Sequence, residues 1–171
     1  MATPNNQPER WLRGLVEGVP ALLQPAAHAL LQTLDDVEAA ARDLTKDQLW
    51  RTPGGASSIG FHLMHLSGST DRLLTYARGE LLNDAQKAAA RAESNPPVVG
   101  AATLLDDVRR AFDAALAQLR ATPPSSLTDA RAVGRAGLPT TVIGLLFHAA
   151  EHSQRHAGQV VTTAKVVRGL A

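Results

Sequence analysis

Residues 144–160 read GLLFHAAEHSQRHAGQV and hold His148, His152 and His156, each four positions from the next. Residues four apart on an α-helix lie nearly above one another, about 40° apart around the axis. The spacing therefore predicts one helix with a stripe of imidazoles. His152 and His156 are spaced to chelate one metal ion, as in the HExxH motif of zinc proteases. Ser153 stands where that motif has its glutamate, so the general base of those proteases is missing.

Helical spacing of apolar residues extends through most of the chain. It recurs over residues 21–44, 59–78 and 101–121, and the segment with the three histidines predicts a further helix from Pro139 to about Val167. Ser57 or Ser58 is suited to cap the second of these helices. Four long helices without a strand pattern predict an all-α four-helix bundle.

The connections between these helices differ in character. Residues 80–94 predict a short extra helix between the second and third long helices, and residues 122–139 predict an irregular connection. Residues 1–19 are expected to form an N-terminal tail. Residues 20–171 are then a single domain, which fits the length of the chain.

Composition excludes several classes of protein. The 17 basic and 16 acidic residues are interspersed and leave a net charge of +1, so we expect no nucleic-acid partner. No cysteine is present, which excludes disulfides and protein thiolates and leaves His, Asp or Glu to hold any metal. No apolar run reaches the length of a membrane span. The first residues, MATPNNQPER, lack the features of a signal peptide, so we expect a cytoplasmic protein without membrane contact.

A second histidine cluster lies in the predicted second helix. Residues 59–69, IGFHLMHLSGS, contain His62 and His65, three positions apart. Five of the six histidines therefore fall in two short segments, and His28 is the exception. Histidines on a helix are often only hydrogen-bonded core or surface residues. Several neutral imidazoles in one bundle core need polar partners, however, and a shared metal would satisfy them together.

Residues 57–80, SSIGFHLMHLSGSTDRLLTYARGE, together with residues 144–160 resemble the DinB-like family of metal-binding four-helix bundles. The family pattern has one histidine in the second helix and a His-x-x-x-His pair, followed closely by Gly-Gln, in the fourth. The resemblance implies that His65, His152 and His156 are the metal ligands. His62 is the competing choice in the second helix. If His65 is the ligand, His62 and His148 contact the ligands from one turn away.

The same resemblance implies a divalent metal with an open coordination position. Zinc is the expected ion, and nickel, copper or iron also suit imidazole ligands. The implied function is that of a metal-dependent enzyme acting on a small molecule. It would use a low-molecular-weight thiol such as bacillithiol or mycothiol for thiol-S-transfer, or carry out metal-assisted hydrolysis. The alternative is a non-catalytic metal- or ligand-binding stress protein, or a structural homodimer. A homodimer is expected in either case.

Two further residues are candidates for cofactor binding. Gln159 lies three positions after His156 and should share its face, where it would contact a metal ligand or pack between helices. Arg135 precedes the fourth helix. It would line a pocket mouth for a carboxylate or the anion of a thiol cofactor, since arginine binds such groups through two hydrogen bonds. The alternative is that Arg135 only fastens its loop.

Overall fold

The fold is helical, with four long helices that pack around one core. The computed structural model describes residues 7–94 and 96–170. Within these ranges the chain forms, in order, α1 (Gln24–Ala41), α2 (Lys46–Trp50), α3 (Ile59–Ala77), α4 (Asp84–Ala92), α5 (Ala101–Ala121), β1 (Ala130–Val133), β2 (Leu138–Thr141) and α6 (Val142–Gly169). Short 3₁₀ turns cover Arg10–Leu12, Ala21–Leu23, Pro53–Gly55 and Pro124–Ser126. The predicted all-α bundle is confirmed, and so is the short extra helix, which is α4.

The core lies between α1, α3, α5 and α6. Helix α6 packs against α1 and α3, and α5 packs against α3. The largest side chains that are almost completely buried come from all four helices and include Phe112, Leu30, Leu63, Leu66, Leu119 and Leu146. Burying one such side chain contributes about 1.5–3 kcal/mol. Among the described residues, no helix is both long enough and apolar enough to cross a bilayer.

The ends of α3 match the signals in the sequence. Ser58 is the N-cap, and its hydroxyl accepts a hydrogen bond from the backbone N–H of Phe61 at 3.1 Å. Gly79 follows the helix with a φ of +79°, in the left-handed region that favours glycine. These two residues set where α3 begins and ends, and both His62 and His65 lie within those bounds.

The predicted irregular connection over residues 122–139 is wrong in part. Strands β1 and β2 pair antiparallel as a hairpin, with Ala130 opposite Thr141. Strands of four residues are too short for their alternation to stand out from a loop. Because Pro139 belongs to β2, α6 begins at Val142 instead of at that proline. The hydroxyl of Thr141 caps the helix by accepting a hydrogen bond from the N–H of Gly144.

The described part of the predicted N-terminal tail is fastened to α1. The guanidinium of Arg10 donates two hydrogen bonds of 2.6 Å to the carboxylate of Asp35. The side chain of Gln24 bonds both the N–H and the carbonyl of Val16. Residues 1–6 lie outside the described part of the chain, and the boundary between tail and domain stays a prediction.

Candidate metal centre

Two pairs of histidines meet where α3 packs against α6. The Nδ1 atoms of His62 and His156 are 2.9 Å apart, and the Nε2 atoms of His65 and His152 are 3.1 Å apart. As the residue number rises along α3, the number of the partner residue on α6 falls. The two helices therefore run antiparallel here, which the sequence alone left open.

Three of these histidines have the geometry of a metal site. His65, His152 and His156 are each partly buried and offer ring nitrogens that all lie within 4.8 Å of one another. In a tetrahedral zinc site with Zn–N bonds of 2.0–2.1 Å, two ligand nitrogens are roughly 3.3 Å apart. The separation of 3.1 Å between His65 and His152 is close to that value. The three side chains therefore fit a divalent ion if the ring of His156 moves slightly towards the other two.

Electrostatics favours the neutral, ligating form of two of the rings. Burial, together with the neighbouring His148 and His65, lowers the pKa of His152 to about 4. Burial and the neighbouring His65 lower the pKa of His156 to about 3. Neutral imidazole keeps a nitrogen lone pair, which a metal ligand requires. At neutral pH both rings are thus ready to bind a cation without first losing a proton.

A carboxylate fixes the orientation of the third ring. The Nδ1 of His65 donates to Oε2 of Glu93 at 2.7 Å, and Nη1 of Arg72 donates to Oε1 of the same carboxylate at 2.7 Å. With its proton on Nδ1, neutral His65 has its lone pair on Nε2, the atom that faces His152. Histidine ligands of metals commonly donate their other N–H to a carboxylate in this way.

Gly68 makes room for this carboxylate on α3. A Cβ atom at this position would lie 2.8 Å from Oε1 of Glu93 and 2.9 Å from Nη1 of Arg72. Real Cβ atoms essentially never approach other heavy atoms so closely. The glycine in the middle of the helix therefore lets the ion pair lie directly against the backbone, one turn after His65.

Two further histidines, His62 and His148, contact the group from its edges. His62 is buried, and burial lowers its pKa. Its hydrogen bond with His156 places it beside the three rings. The exposed His148 stacks parallel to His152, with ring centroids 5.5 Å apart, and its Nδ1 lies 3.2 Å from Glu151. Both residues therefore touch a candidate ligand.

One buried atom of the group has no partner. The Nδ1 of His152 makes no hydrogen bond to any described residue. Without a metal, the Nε2–H of His152 donates to Nε2 of His65, because the latter carries a lone pair. A shared ion would replace this hydrogen bond and leave Nδ1 protonated. No proton leaves the ring in this change, because the single N–H of neutral His152 only moves from Nε2 to Nδ1.

A cavity opens over the histidines. It has a volume of about 440 Å³, and its lining includes His62, His152, His156, Arg155 and Gln159. The predicted cofactor-binding residue Gln159 therefore lies beside the histidines. Arg135 lines a different cavity.

The sequence model of the DinB superfamily matches residues 29–160. The chain belongs to the DinB superfamily. The match covers most of the four long helices and both histidine segments, so the predicted family is confirmed. No curated protein matches the chain.

Sequence reasoning did not identify Glu93 as part of this DinB-superfamily site. The residue follows α4 in a polar connection and reaches His65 across 28 positions of the chain, a contact that no local spacing predicts. A signal was present in Gly68, because an isolated glycine inside a helix usually has a packing or functional reason. The second partner of this carboxylate is Arg72, which forms an ion pair with it.

Proposed function

We propose that this DinB-superfamily protein is a divalent-metal-dependent enzyme that acts on a small molecule. His65, His152 and His156 would hold the ion, and zinc is the ion that we propose. The observation that supports this most strongly is the position of the three rings. Their nitrogens lie within 4.8 Å of one another, and two of the rings line a cavity that can admit a substrate.

The chemistry of the proposed site follows from its ligands and its cavity. A bound divalent ion would supply Lewis acidity, which lowers the pKa of a water molecule or a thiol at the site. Glu93 holds the ring of His65 so that Nε2 faces the cluster. Arg155 and Gln159 line the cavity and offer hydrogen-bond donors to a polar substrate.

Thiol-S-transfer is the more specific form of this proposal. Because the chain has no cysteine, any thiol must come from a cosubstrate of low molecular weight, such as bacillithiol or mycothiol. The broader form is hydrolysis, in which water takes the place of the thiol. The two forms differ in one requirement: thiol transfer depends on an added thiol, whereas hydrolysis proceeds with metal and water alone.

The experiment that tests the proposal asks whether a small molecule can reach the metal. The protein is loaded with cobalt(II), whose visible spectrum reports its coordination, and is titrated with 2-mercaptoethanol. Ethylene glycol is the matched control without sulfur. We expect the thiol to change the spectrum and to produce a sulfur-to-cobalt absorption, and the glycol to have a much weaker effect.

A cobalt spectrum that neither thiol nor imidazole alters would contradict the proposal. Such a site would be closed to small molecules, as in a structural metal site. The protein would then be a metal-binding or structural protein and not an enzyme.

A further inference from the structure

A second cavity lies apart from the histidines, between the end of α3, α4 and the turn of the β-hairpin. Its volume is about 940 Å³, within the upper part of the range of about 300–1,000 Å³ typical of small-molecule sites. Leu81, Leu82 and Ala90 supply apolar walls. The exposed fraction of Leu81 is 87%, so its side chain offers apolar surface that a ligand can cover.

The polar part of the lining is cationic. Lys87, Arg91 and Arg135 all line the cavity. Lys87 pairs with the fully exposed carboxylate of Asp84 at 3.2 Å, a contact that solvent screens. Neither Arg91 nor Arg135 has a carboxylate within ion-pair distance in the part of the chain that the structure describes. Two guanidinium groups are therefore left without an anionic partner at an apolar cavity.

Helix α4 is held over this cavity by polar contacts and not by a packed core. The side-chain amide of Gln86 donates 2.7 Å hydrogen bonds to Asp71 and to Thr75 of α3. No residue of α4 is buried, although Gln86 and Ala90 are half-buried on its inner side. The inner face of the helix thus borders open space that a ligand can fill.

We propose that this cavity binds a small carboxylate with an apolar body. The guanidinium groups of Arg91 and Arg135 would bind the carboxylate, a geometry for which arginine is suited. The apolar body would lie against Leu81 and Leu82. This site does not depend on the proposed metal centre, and it adds a binding function to it.

The experiment is a calorimetric titration of the full chain with naphthalene-2-carboxylate in the presence of EDTA, so that no metal contributes. Two control compounds separate the two parts of the ligand. Naphthalene-2-carboxamide has the same apolar body without charge, and acetate has the charge without the body. We expect the naphthoate to bind once per chain, the amide about tenfold more weakly or worse, and acetate not measurably.

A pair of charge-matched variants locates the binding. The double variant Arg91→Gln, Arg135→Gln should weaken naphthoate binding about tenfold or more. The control variant Arg42→Gln, Arg110→Gln removes the same charge from exposed arginines outside the cavity and should bind like the parent. Equal binding of naphthoate and its amide, or parent-like affinity in Arg91→Gln, Arg135→Gln, would overturn the proposal.

A third variant tests the apolar part of the cavity without changing its charge. Ala90→Trp places an indole in the space and should abolish binding while circular dichroism and the melting temperature show a folded protein. Retained binding in folded Ala90→Trp would overturn the proposal. A second result would also overturn it. If the double variant His152→Ala, His156→Ala lost naphthoate binding while the double variant Arg91→Gln, Arg135→Gln retained it, the anion would bind at the histidines.

Discussion

The Nδ1 atom of His65 lies 2.7 Å from Oε2 of Glu93, although the two residues are 28 positions apart in the chain. Arg72 binds the other carboxylate oxygen at 2.7 Å, so the carboxylate is held from both sides. The side chain of Glu93 is only 12% exposed, which limits competition from water. A carboxylate in this position orients a ligating ring and increases its basicity.

Replacing Glu93 should weaken metal binding without removing a ligand. In Glu93→Gln the neutral amide oxygen accepts from His65 less strongly, and Arg72 loses its ionic partner. We expect zinc affinity to fall by about 10–100-fold, the usual effect of losing such a partner. Competition with a chromophoric chelator measures the affinity.

The control for this variant is Glu80→Gln. Glu80 is exposed and pairs with Arg78 at 2.9 Å, outside the contacts of the histidines. Its replacement should leave the zinc affinity unchanged. If Glu93→Gln and Glu80→Gln both bind zinc like the parent, the carboxylate has no role in holding the metal ligand.

A methyl group at Gly68 should displace the same carboxylate. The Cβ of Gly68→Ala would meet Oε1 of Glu93 at 2.8 Å and Nη1 of Arg72 at 2.9 Å. We expect lower zinc affinity than in the parent. Alanine is the better helix former by about 1 kcal/mol. We expect the gain in the free energy of unfolding in urea to be smaller than that, because the ion pair of Glu93 and Arg72 must shift.

Gly158→Ala on α6 is the matched control for stability. Its Cβ would meet no atom within 4 Å, so only helix propensity acts there. This variant should be more stable than the parent by about 0.5–1 kcal/mol. A gain of similar size in Gly68→Ala would show that the space at Gly68 is not needed.

Asp36 lies outside the histidine site and should make the free energy of unfolding depend on pH. Burial raises the pKa of Asp36, with smaller contributions from the acidic neighbours Asp35 and Glu9, while the hydrogen bond from Gln32 opposes the shift. Because the pKa is higher in the folded state than in the unfolded state, the ionised carboxylate costs stability. That cost develops as the pH rises from the unfolded pKa through the folded one.

Asp36→Asn should therefore be more stable than the parent at pH 7, since asparagine keeps an acceptor for Gln32 without the charge. The difference should disappear near pH 4 and below, where the parent carboxyl is protonated. Urea unfolding at pH 7 and near pH 4 measures this difference in the free energy of unfolding. Asp43→Asn removes the same charge from an exposed carboxylate and is the control for the loss of one negative charge. Equal stability of Asp36→Asn and the parent at pH 7 would contradict the assignment.

The long helices were predictable because each repeats an apolar stripe over many turns. The boundaries of α3 followed from Ser58 and Gly79, whose capping roles depend on local chemistry. The hairpin and α2 were missed because four or five residues carry too little periodicity. For α2 the capping box of Thr45 and Gln48 was the available signal.

Only the part of the candidate site whose residues lie at helical spacing on one helix could be predicted from the sequence. His152 and His156 share a face because they are four positions apart on one helix. The choice between His62 and His65, and the approach of Glu93, depend on how distant segments pack. In the structure His65 shares the group with His152 and His156, and His62 bonds to His156 from the side.

The central claim is that His65, His152 and His156 hold a divalent metal, and elemental analysis of purified, untagged protein tests it most directly. The parent is compared with His152→Ala, His156→Ala and with His28→Ala, whose histidine bonds the carbonyl of Gly14 away from the site. We predict about one ion per chain in the parent and in His28→Ala, and almost none in the double variant. A parent that takes up no zinc, nickel or iron, or a double variant that binds as much as the parent, would contradict the claim.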